Sequence, residues 1–224
     1  VAPAKYFDRY DRDAMIAPMV PENDLEDVPE IIRNYKRNST SYGVTPELHK
    51  GLLEAYYASI SYMDAQVGRV LDALEELGLA DNTIIVFTSD HGYLLGHHNK
   101  FQKQHLFEEA TRVPFIVSIP WMKNQHGKAT THITELIDLY PTLAKLAGLK
   151  APNSLHGESM VPLLKNPNSD GWKKDVAFTI SRSGGESIRT REWRFTQWGF
   201  GADGMELYDL RNDPGEFTNL ATKS

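Results

Sequence analysis

The sequence predicts an α/β protein in which a mixed, mostly parallel sheet is flanked by helices and followed by a small antiparallel sheet. Three observations predict this class. A helical apolar pattern covers residues 46–77, two apolar runs without polar alternation follow it, and shorter strand patterns separated by turn residues end the chain. Helices that alternate with buried strands are typical of an α/β sheet. We expect residues 1–169 to form the α/β part and residues 170–224 the small C-terminal subdomain.

Residues 1–44 are predicted to be a connector that lies along the surface. They contain four prolines and only one short helical pattern, from Asp24 to Lys36. The long amphipathic helix follows, with Thr45 as N-cap, Pro46 in the first turn and Gly78 as the C-terminal stop. Its apolar residues recur every three or four positions. At 1.5 Å per residue it would extend roughly 48 Å, which is long enough to cross a sheet.

Two runs of β-branched and aromatic residues come next, TIIVFTSD at 83–90 and VPFIVSIP at 113–120. Because neither run alternates with polar residues, we expect strands that are buried on both faces, as in a parallel or mixed sheet. A second helix is predicted over residues 133–149. After the turn cluster NPNSDGW, the patterns DVAFTI, ESIRTREWRFTQW and MELYDL predict the antiparallel C-terminal subdomain.

Composition excludes several classes of partner. The chain has 24 Lys and Arg against 30 Asp and Glu, a net charge of -6, and the two signs are interspersed. We therefore expect no nucleic-acid partner. Apolar runs stay short of the roughly 18 residues that a membrane span needs, so no membrane span is expected. Cysteine is absent, which excludes disulfides, thiolate metal sites and a cysteine nucleophile within these residues.

The first buried run ends in Ser89-Asp90-His91-Gly92, which is a candidate metal site. Ligands of open α/β sheets bind at the carboxyl ends of strands. Asp supplies a hard oxygen ligand, His an imidazole, and Gly lets the backbone turn away sharply. The tetrapeptide alone fits equally well an Asp that caps the following loop and a His that is hydrogen-bonded in the core.

The surrounding sequence resembles the type I sulfatases of the alkaline-phosphatase-like superfamily. In TSDHGYLLGHHNKFQKQHLFEEATRVPFIV, a strand ends in Ser-Asp-His-Gly and a lysine follows about a dozen residues later. YYASISYMDAQVGRVLDALEELGLADNTIIV, TELIDLYPTLAKLAGL, HGESMVPLL and ELYDLRNDPGEFTNLA are similar to family segments in the same order. The Asp-His pair resembles the iduronate-2-sulfatase and choline-sulfatase branches, and of the two we expect the iduronate-2-sulfatase-like group. The implied fold is a partial alkaline-phosphatase-like one.

The resemblance implies roles for three residues, and the same loop offers a fourth candidate. Asp90 and His91 match positions that face a divalent metal, most often Ca²⁺, and His91 is also a catalytic candidate. Lys103 matches the lysine that contacts the sulfate and stabilises charge on the leaving oxygen. His98 is a further substrate-binding candidate, although adjacent loop histidines are more often solvated. Lys100 is the alternative to Lys103 as the anion ligand.

The family's nucleophile is a formylglycine made from a Cys/Ser-x-Pro-x-Arg motif, and this motif does not occur in the chain. The family's adjacent Asp-Asp metal pair does not occur either. We therefore expect these residues to be the C-terminal part of a sulfatase, inactive alone and completed by an N-terminal half. The implied substrate is a sulfated small molecule or glycan, and export to a periplasm, lysosome or extracellular space follows by analogy.

Two other function classes stay open at this point. One is a phosphatase, phosphodiesterase or phosphonate hydrolase of the same superfamily, and the other is a non-catalytic carbohydrate-binding module. Some residues also have ordinary structural explanations. Arg112 is expected to pair with Glu108 or Glu109, and the aromatic residues Trp193, Phe195 and Trp198 fit core packing as well as a substrate rim.

Overall fold

The structure is a computed structural model that describes residues 2–34 and 43–222. The last two residues of the predicted Asp24–Lys36 helix lie outside the described residues. No helix in the described ranges is long and apolar enough to cross a bilayer. The helices are α1 Ala4–Phe7, α2 Glu30–Asn34, α3 Pro46–Glu76, α4 Glu108–Thr111, α5 Leu139–Leu146 and α6 Val161–Lys165. The strands are β1 Ile85–Thr88, β2 Leu94–Leu95, β3 Phe101–Gln102, β4 Phe115–Ser118, β5 Ala177–Ile180, β6 Gly185–Arg189, β7 Trp193–Trp198 and β8 Gly204–Asp209.

The long helix is confirmed as α3, together with both of its predicted end signals. The Thr45 hydroxyl accepts a hydrogen bond from the backbone N–H of Leu48 at 3.2 Å, and Gly78 has a φ of +67° just beyond the helix. The predicted apolar side of the helix is only partly covered, however. Six of its residues remain at least 36% exposed in the described structure: Leu48, Leu52, Ile60, Met63, Val70 and Leu77.

Strands β1 and β4 correspond to the two apolar runs and pair antiparallel, with Ile85 opposite Ser118 and Thr88 opposite Phe115. The α/β class is confirmed, and every strand pair within the described residues is antiparallel. The expectation that both runs are buried on both faces is wrong for β4, since Ile116 is 60% exposed. Two strands form this sheet, so each has an open edge and little covering structure.

The C-terminal antiparallel sheet is confirmed, with four strands in the order β5-β6-β7-β8. Burial alternates along β7 and β8, as expected for a sheet with one face on the core. Trp198 and Tyr208 are each 1% exposed and share a core with Leu94, Leu106 and Phe107 of the preceding loop. This shared core joins the two predicted parts, and the boundary at residue 169 stays a prediction.

The predicted helix at 133–149 forms as a 3-10 turn, Leu136–Asp138, followed by α5. Its start is a reciprocal capping box between Glu135 and Asp138. The buried Asp138 carboxylate also accepts from the backbone N–H of Glu158 at 2.8 Å and from the Lys174 ammonium at 2.6 Å. These bonds connect the start of this helix to the segment that leads into the C-terminal sheet.

Candidate active site

The candidate metal residues lie on a tight corner directly after β1. The Ser89 hydroxyl donates to the carbonyl of His91 at 2.8 Å, and the backbone N–H of His91 donates to Asp90 Oδ1 at 3.1 Å. These local bonds bring the two side chains together, so that Asp90 Oδ2 lies 3.6 Å from His91 Nε2. The structure therefore places Asp90 and His91 side by side.

Gly92 explains why the chain can turn here. Its backbone N–H donates to the carbonyl of Ala110 at 2.8 Å, and the N–H of Tyr93 donates to the carbonyl of Glu109 at 3.0 Å. A Cβ at Gly92 would lie only 1.8 Å from that Glu109 carbonyl oxygen. Only glycine permits this approach, which fixes the corner against helix α4.

The donor atoms of the corner fit a divalent cation in part. His91 Nδ1 lies 2.7 Å from the carbonyl of Gly92; because a carbonyl only accepts, Nδ1 carries the proton and Nε2 keeps its lone pair. Oδ2 of Asp90 and Nε2 of His91 are then two adjacent ligands. Two ligands are fewer than the six to eight that Ca²⁺ takes, and the Asp90 side chain is 84% exposed, so there is room for others.

The corner opens into a groove of about 1340 Å³. Asp90, His91 and Gln104 contribute to its wall. Six Arg and Lys residues also line it, namely Arg112, Lys128, Arg182, Arg189, Arg191 and Arg194. Sequence reasoning did not identify Arg182 or Arg191, both of which are exposed. Their only signal was the density of arginines in RSGGESIRTREWR, which gave no indication of the groove they face.

The structure distinguishes the two candidate lysines. Lys103 is exposed and lies between Gln102 and Gln104, whose φ angles of +80° and +73° are unusual for residues other than glycine. Lys100 has 0% exposure and donates to the carbonyl of Arg33 at 2.8 Å. Burial lowers the pKa of Lys100 to about 8, although the nearby Asp24 carboxylate opposes the shift. Of the two, Lys103 is the one accessible to an anion, and its role stays a prediction.

His98 lies away from solvent, with an exposure of 1%. Its Nδ1 is 3.1 Å from Asp24 Oδ1, and its ring stacks on Phe107 at 3.7 Å between ring centroids. Substrate binding by His98 stays a prediction, and the burial of the side chain does not favour it. Sequence reasoning missed its partner Asp24, because nothing local links residues 74 positions apart. Burial lowers the pKa of the adjacent His97, while Glu109 opposes that shift.

The predicted pairing of Arg112 is confirmed, with its guanidinium 3.6 Å from Glu108 Oε1. Glu108 belongs to a larger ion-pair network in the wall of the groove. It pairs with Arg189 at 3.1 Å and with the buried Arg194, which also pairs with Glu216. This network connects helix α4 to the C-terminal sheet and to the last described segment of the chain.

The α/β scaffold, with an Asp-His corner at a strand end above an open groove, belongs to the alkaline-phosphatase-like class. Within that class the chain belongs to the sulfatase family, because the family model described as Sulfatase matches residues 2–149. A second model, described as N-sulphoglucosamine sulphohydrolase, C-terminal, matches residues 96–224.

Individual relatives agree with this family. A sulfatase of Formosa agariphila is 34% identical over 98% of this chain and 43% of its own length. The solved phosphonate monoester hydrolase of Silicibacter pomeroyi is 25% identical, with a TM-score of 0.86 over 99% of this chain and 49% of that one. A solved 2-O GAG sulfatase is 27% identical, with a TM-score of 0.78 over 93% of this chain and 48% of that one. The chain thus spans about half the length of these relatives.

Proposed function

We propose that the chain is the C-terminal part of an enzyme that hydrolyses sulfate esters, with a sulfated sugar as substrate. The single observation that carries the proposal is the Asp90–His91 corner at the mouth of the groove, within a segment matched by the sulfatase family model. This is where ligands of α/β sheets bind. The corner has ligand atoms on one side and basic side chains around it, as an anionic ester requires.

Asp90, His91 and Lys103 have distinct roles in this proposal. Asp90 and His91 would hold a divalent cation, calcium by family resemblance, which would polarise the sulfate oxygens when bound. Lys103 lies on the exposed loop and offsets negative charge on the leaving oxygen as the S–O bond breaks. His91 would contribute to catalysis by offering Nε2 as a ligand, since its Nδ1–H donates to the Gly92 carbonyl.

The nucleophile belongs to a preceding segment in this proposal. That segment supplies a formylglycine and the remaining metal ligands, and it covers the apolar side of α3. The exposure of Val70, 69%, and Leu77, 71%, supports such a covering segment, because large exposed apolar surfaces mark places where other structure packs. The 224 residues alone are accordingly expected to be inactive.

The substrate is a sulfated glycan of the iduronate-2-sulfate type in this proposal. Lys128, Arg182 and Arg191 give the groove more positive charge than a single sulfate needs, which suits a sugar with several acidic groups. The family model that covers residues 96–224 is described for an N-sulphoglucosamine enzyme, and one structural neighbour is a 2-O GAG sulfatase. By analogy with sulfatases that act on polysaccharide esters, the enzyme works after export.

The decisive experiment reads the coding sequence upstream of Val1 for an Asp-Asp pair and a Cys/Ser-x-Pro-x-Arg motif. The polypeptide that includes both is then assayed for sulfate release from a 2-O-sulfated disaccharide. We expect Lys103→Ala to lower kcat by about 100-fold or more, while Lys145→Ala, an exposed lysine on α5, leaves it unchanged. An upstream region without a nucleophile, or full activity of Lys103→Ala, would overturn the proposal.

A second candidate is a phosphonate monoester hydrolase, which the TM-score of 0.86 to the Silicibacter pomeroyi enzyme specifically favours. The two candidates differ in the reacting centre, phosphorus with one unreactive P–C bond in place of sulfur. Parallel assays with a phenylphosphonate monoester and an aryl sulfate at equal concentration separate them. A kcat/KM that is more than about tenfold higher for the phosphonate would assign this second function.

A further inference from the structure

A second cluster of ligand atoms lies outside the candidate active site. A ring nitrogen of His98 and one carboxylate oxygen each from Glu109 and Glu216 all lie within 4.8 Å of one another. His98 and Glu216 are each 1% exposed, and Glu109 is half-buried. The three residues come from the loop before β3, from helix α4 and from the C-terminal segment. Neither the corner residues nor the groove contribute to this cluster.

The cluster contains polar atoms that the described structure leaves without a partner. His98 Nε2 and Glu109 Oε2 are both buried, and neither has a hydrogen-bond partner among residues 2–34 and 43–222. Leaving a buried polar atom unpaired is unfavourable, so two such atoms in one cluster indicate an occupant. The occupant must suit an imidazole and two carboxylates at once, which a cation does; Glu216 also accepts from Arg194 and from the backbone N–H of Glu108.

The orientation of His98 favours a metal ion as this occupant. Its Nδ1 lies 3.1 Å from Asp24 Oδ1, and the carboxylate can only accept, so Nδ1 carries the proton and Nε2 presents a lone pair. The stack on Phe107 fixes the ring plane. A carboxylate that orients a histidine whose other nitrogen is free is the arrangement found behind protein metal ligands.

We propose that His98, Glu109 and Glu216 form a structural zinc site, with Asp24 orienting the imidazole. One nitrogen and two carboxylate oxygens match zinc better than calcium, which takes six to eight oxygen ligands. Zinc binds at about 2.0–2.2 Å, so an ion can bridge these atoms after small side-chain adjustments. Bound there, zinc would join the hairpin that carries Lys103 to the C-terminal segment.

Zinc binding by the metal-free 224-residue chain tests this site separately from the proposed function. The chain is prepared with Asp90→Asn and His91→Asn, which removes the corner, and is titrated with zinc chloride by calorimetry. We expect one zinc per chain and a rise in Tm with zinc. Adding Glu109→Gln should weaken zinc binding by at least about tenfold and remove the rise in Tm.

The variant Glu109→Gln is nearly isosteric, and Glu109 Oε2 has no hydrogen-bond partner to lose among the described residues. Its Tm without zinc should therefore equal that of the parent, which separates ligand loss from misfolding. Glu76→Gln at the exposed end of α3 is the matched control and should bind zinc like the parent. Cobalt in place of zinc should give visible absorption bands that Glu109→Gln abolishes.

Absence of zinc binding in the corner-deficient chain, or equal binding by Glu109→Gln, would overturn the proposal and assign the gap to water. Neither result bears on sulfate hydrolysis, which depends on Asp90, His91 and Lys103. Conversely, a chain that binds zinc at His98 while its complete enzyme releases no sulfate would keep this site and remove the proposed function.

Discussion

The C-terminal sheet and the long helix α3 differ in how completely the described structure buries their apolar side chains and pairs their polar groups. In the sheet, Trp198 donates to Glu206 at 2.7 Å and Tyr208 donates to the same carboxylate at 2.8 Å, all three within a closed core. On α3, by contrast, an apolar row from Leu48 to Leu77 remains largely exposed. The sheet closes one face within the described residues, although Phe178 and Ile180 of β5 are 60% and 77% exposed. Helix α3 presents an apolar surface along most of its length.

This difference indicates how the two regions are stabilised. The sheet depends on buried polar and charged groups. Arg194 and Glu216 are at most 2% exposed and pair with each other, and Glu206, at 3% exposure, accepts from Trp198 and Tyr208. The helix depends on its capping and on contacts with the N-terminal segment, such as the 5.2 Å ring contact between Tyr6 and Tyr62. Substitutions in the sheet should therefore unfold the chain, whereas substitutions on the outer side of α3 should change how it associates.

The largest effect is expected from Arg194→Ala. Arg194 is 2% exposed and pairs with both Glu108 and Glu216. Its loss leaves the buried Glu216 without its cation, whereas Glu108 keeps its pairs with Arg189 and Arg112. We expect the free energy of unfolding to fall by about 3–5 kcal/mol, measured by urea denaturation. Arg69→Ala on the exposed side of α3 is the control and should leave stability unchanged. Equal stability of the two variants would contradict the dependence of the sheet on buried charge.

Two glycine-to-alanine substitutions should change the free energy of unfolding in opposite directions. Gly92→Ala places a Cβ 1.8 Å from the carbonyl oxygen of Glu109, and we expect a loss of about 2–3 kcal/mol from the backbone shift it forces. Gly68→Ala in α3 has open space and should gain about 0.5–1 kcal/mol, because alanine favours helix. Thermal unfolding measures both, and a gain at Gly92 would contradict the packing of the corner on α4.

A smaller effect should follow from the buried Lys100 as pH changes. Burial lowers its pKa to about 8 in the folded chain, against about 10.4 in the unfolded chain. Between these values the unfolded state binds more protons, so stability rises with pH. Relative to Lys100→Met, the wild-type chain should gain stability from about pH 8 to pH 10, and the difference between the two should stay constant below pH 8. Lys145→Met should keep the wild-type dependence of the free energy of unfolding on pH. If the Lys100→Met curve ran parallel to that of the wild type, the lowered pKa of Lys100 would be contradicted.

Local signals in the sequence predicted most of the fold. The Thr45 cap, the Gly78 stop and the alternating strands near the C-terminus depend on neighbours in sequence, and the structure has each of them. The antiparallel pairing of β1 and β4 was not predictable in this way, because a continuous apolar run indicates burial without specifying strand direction. The exposure of Ile116 depends on which elements cover the sheet, and periodicity contains no such information.

The candidate sites likewise contain residues that the sequence identifies and residues that only the fold brings together. Asp90 and His91 are adjacent in sequence, and the strand-end rule was enough to select them. Asp24 and Glu216 meet His98 only through the folded core, since 74 and 118 positions respectively separate them from it along the chain. Arg182 lies between β5 and β6, Arg191 lies between β6 and β7, and both line the groove. Long-range partners of this kind become visible only once the strands and loops have been placed.

The smallest change in stability is expected on the outer side of α3. Ile60→Gln and Val70→Gln replace residues that are 43% and 69% exposed, so little apolar area is lost from the core and stability should change by at most about 0.5 kcal/mol. Their effect should appear in association instead, because exposed apolar rows bind one another. Sedimentation velocity should show less self-association for the double variant than for the wild-type chain. Leu53→Gln, at 4% exposure, is the control that should destabilise the chain. A wild-type chain that is already monomeric would contradict self-association through α3.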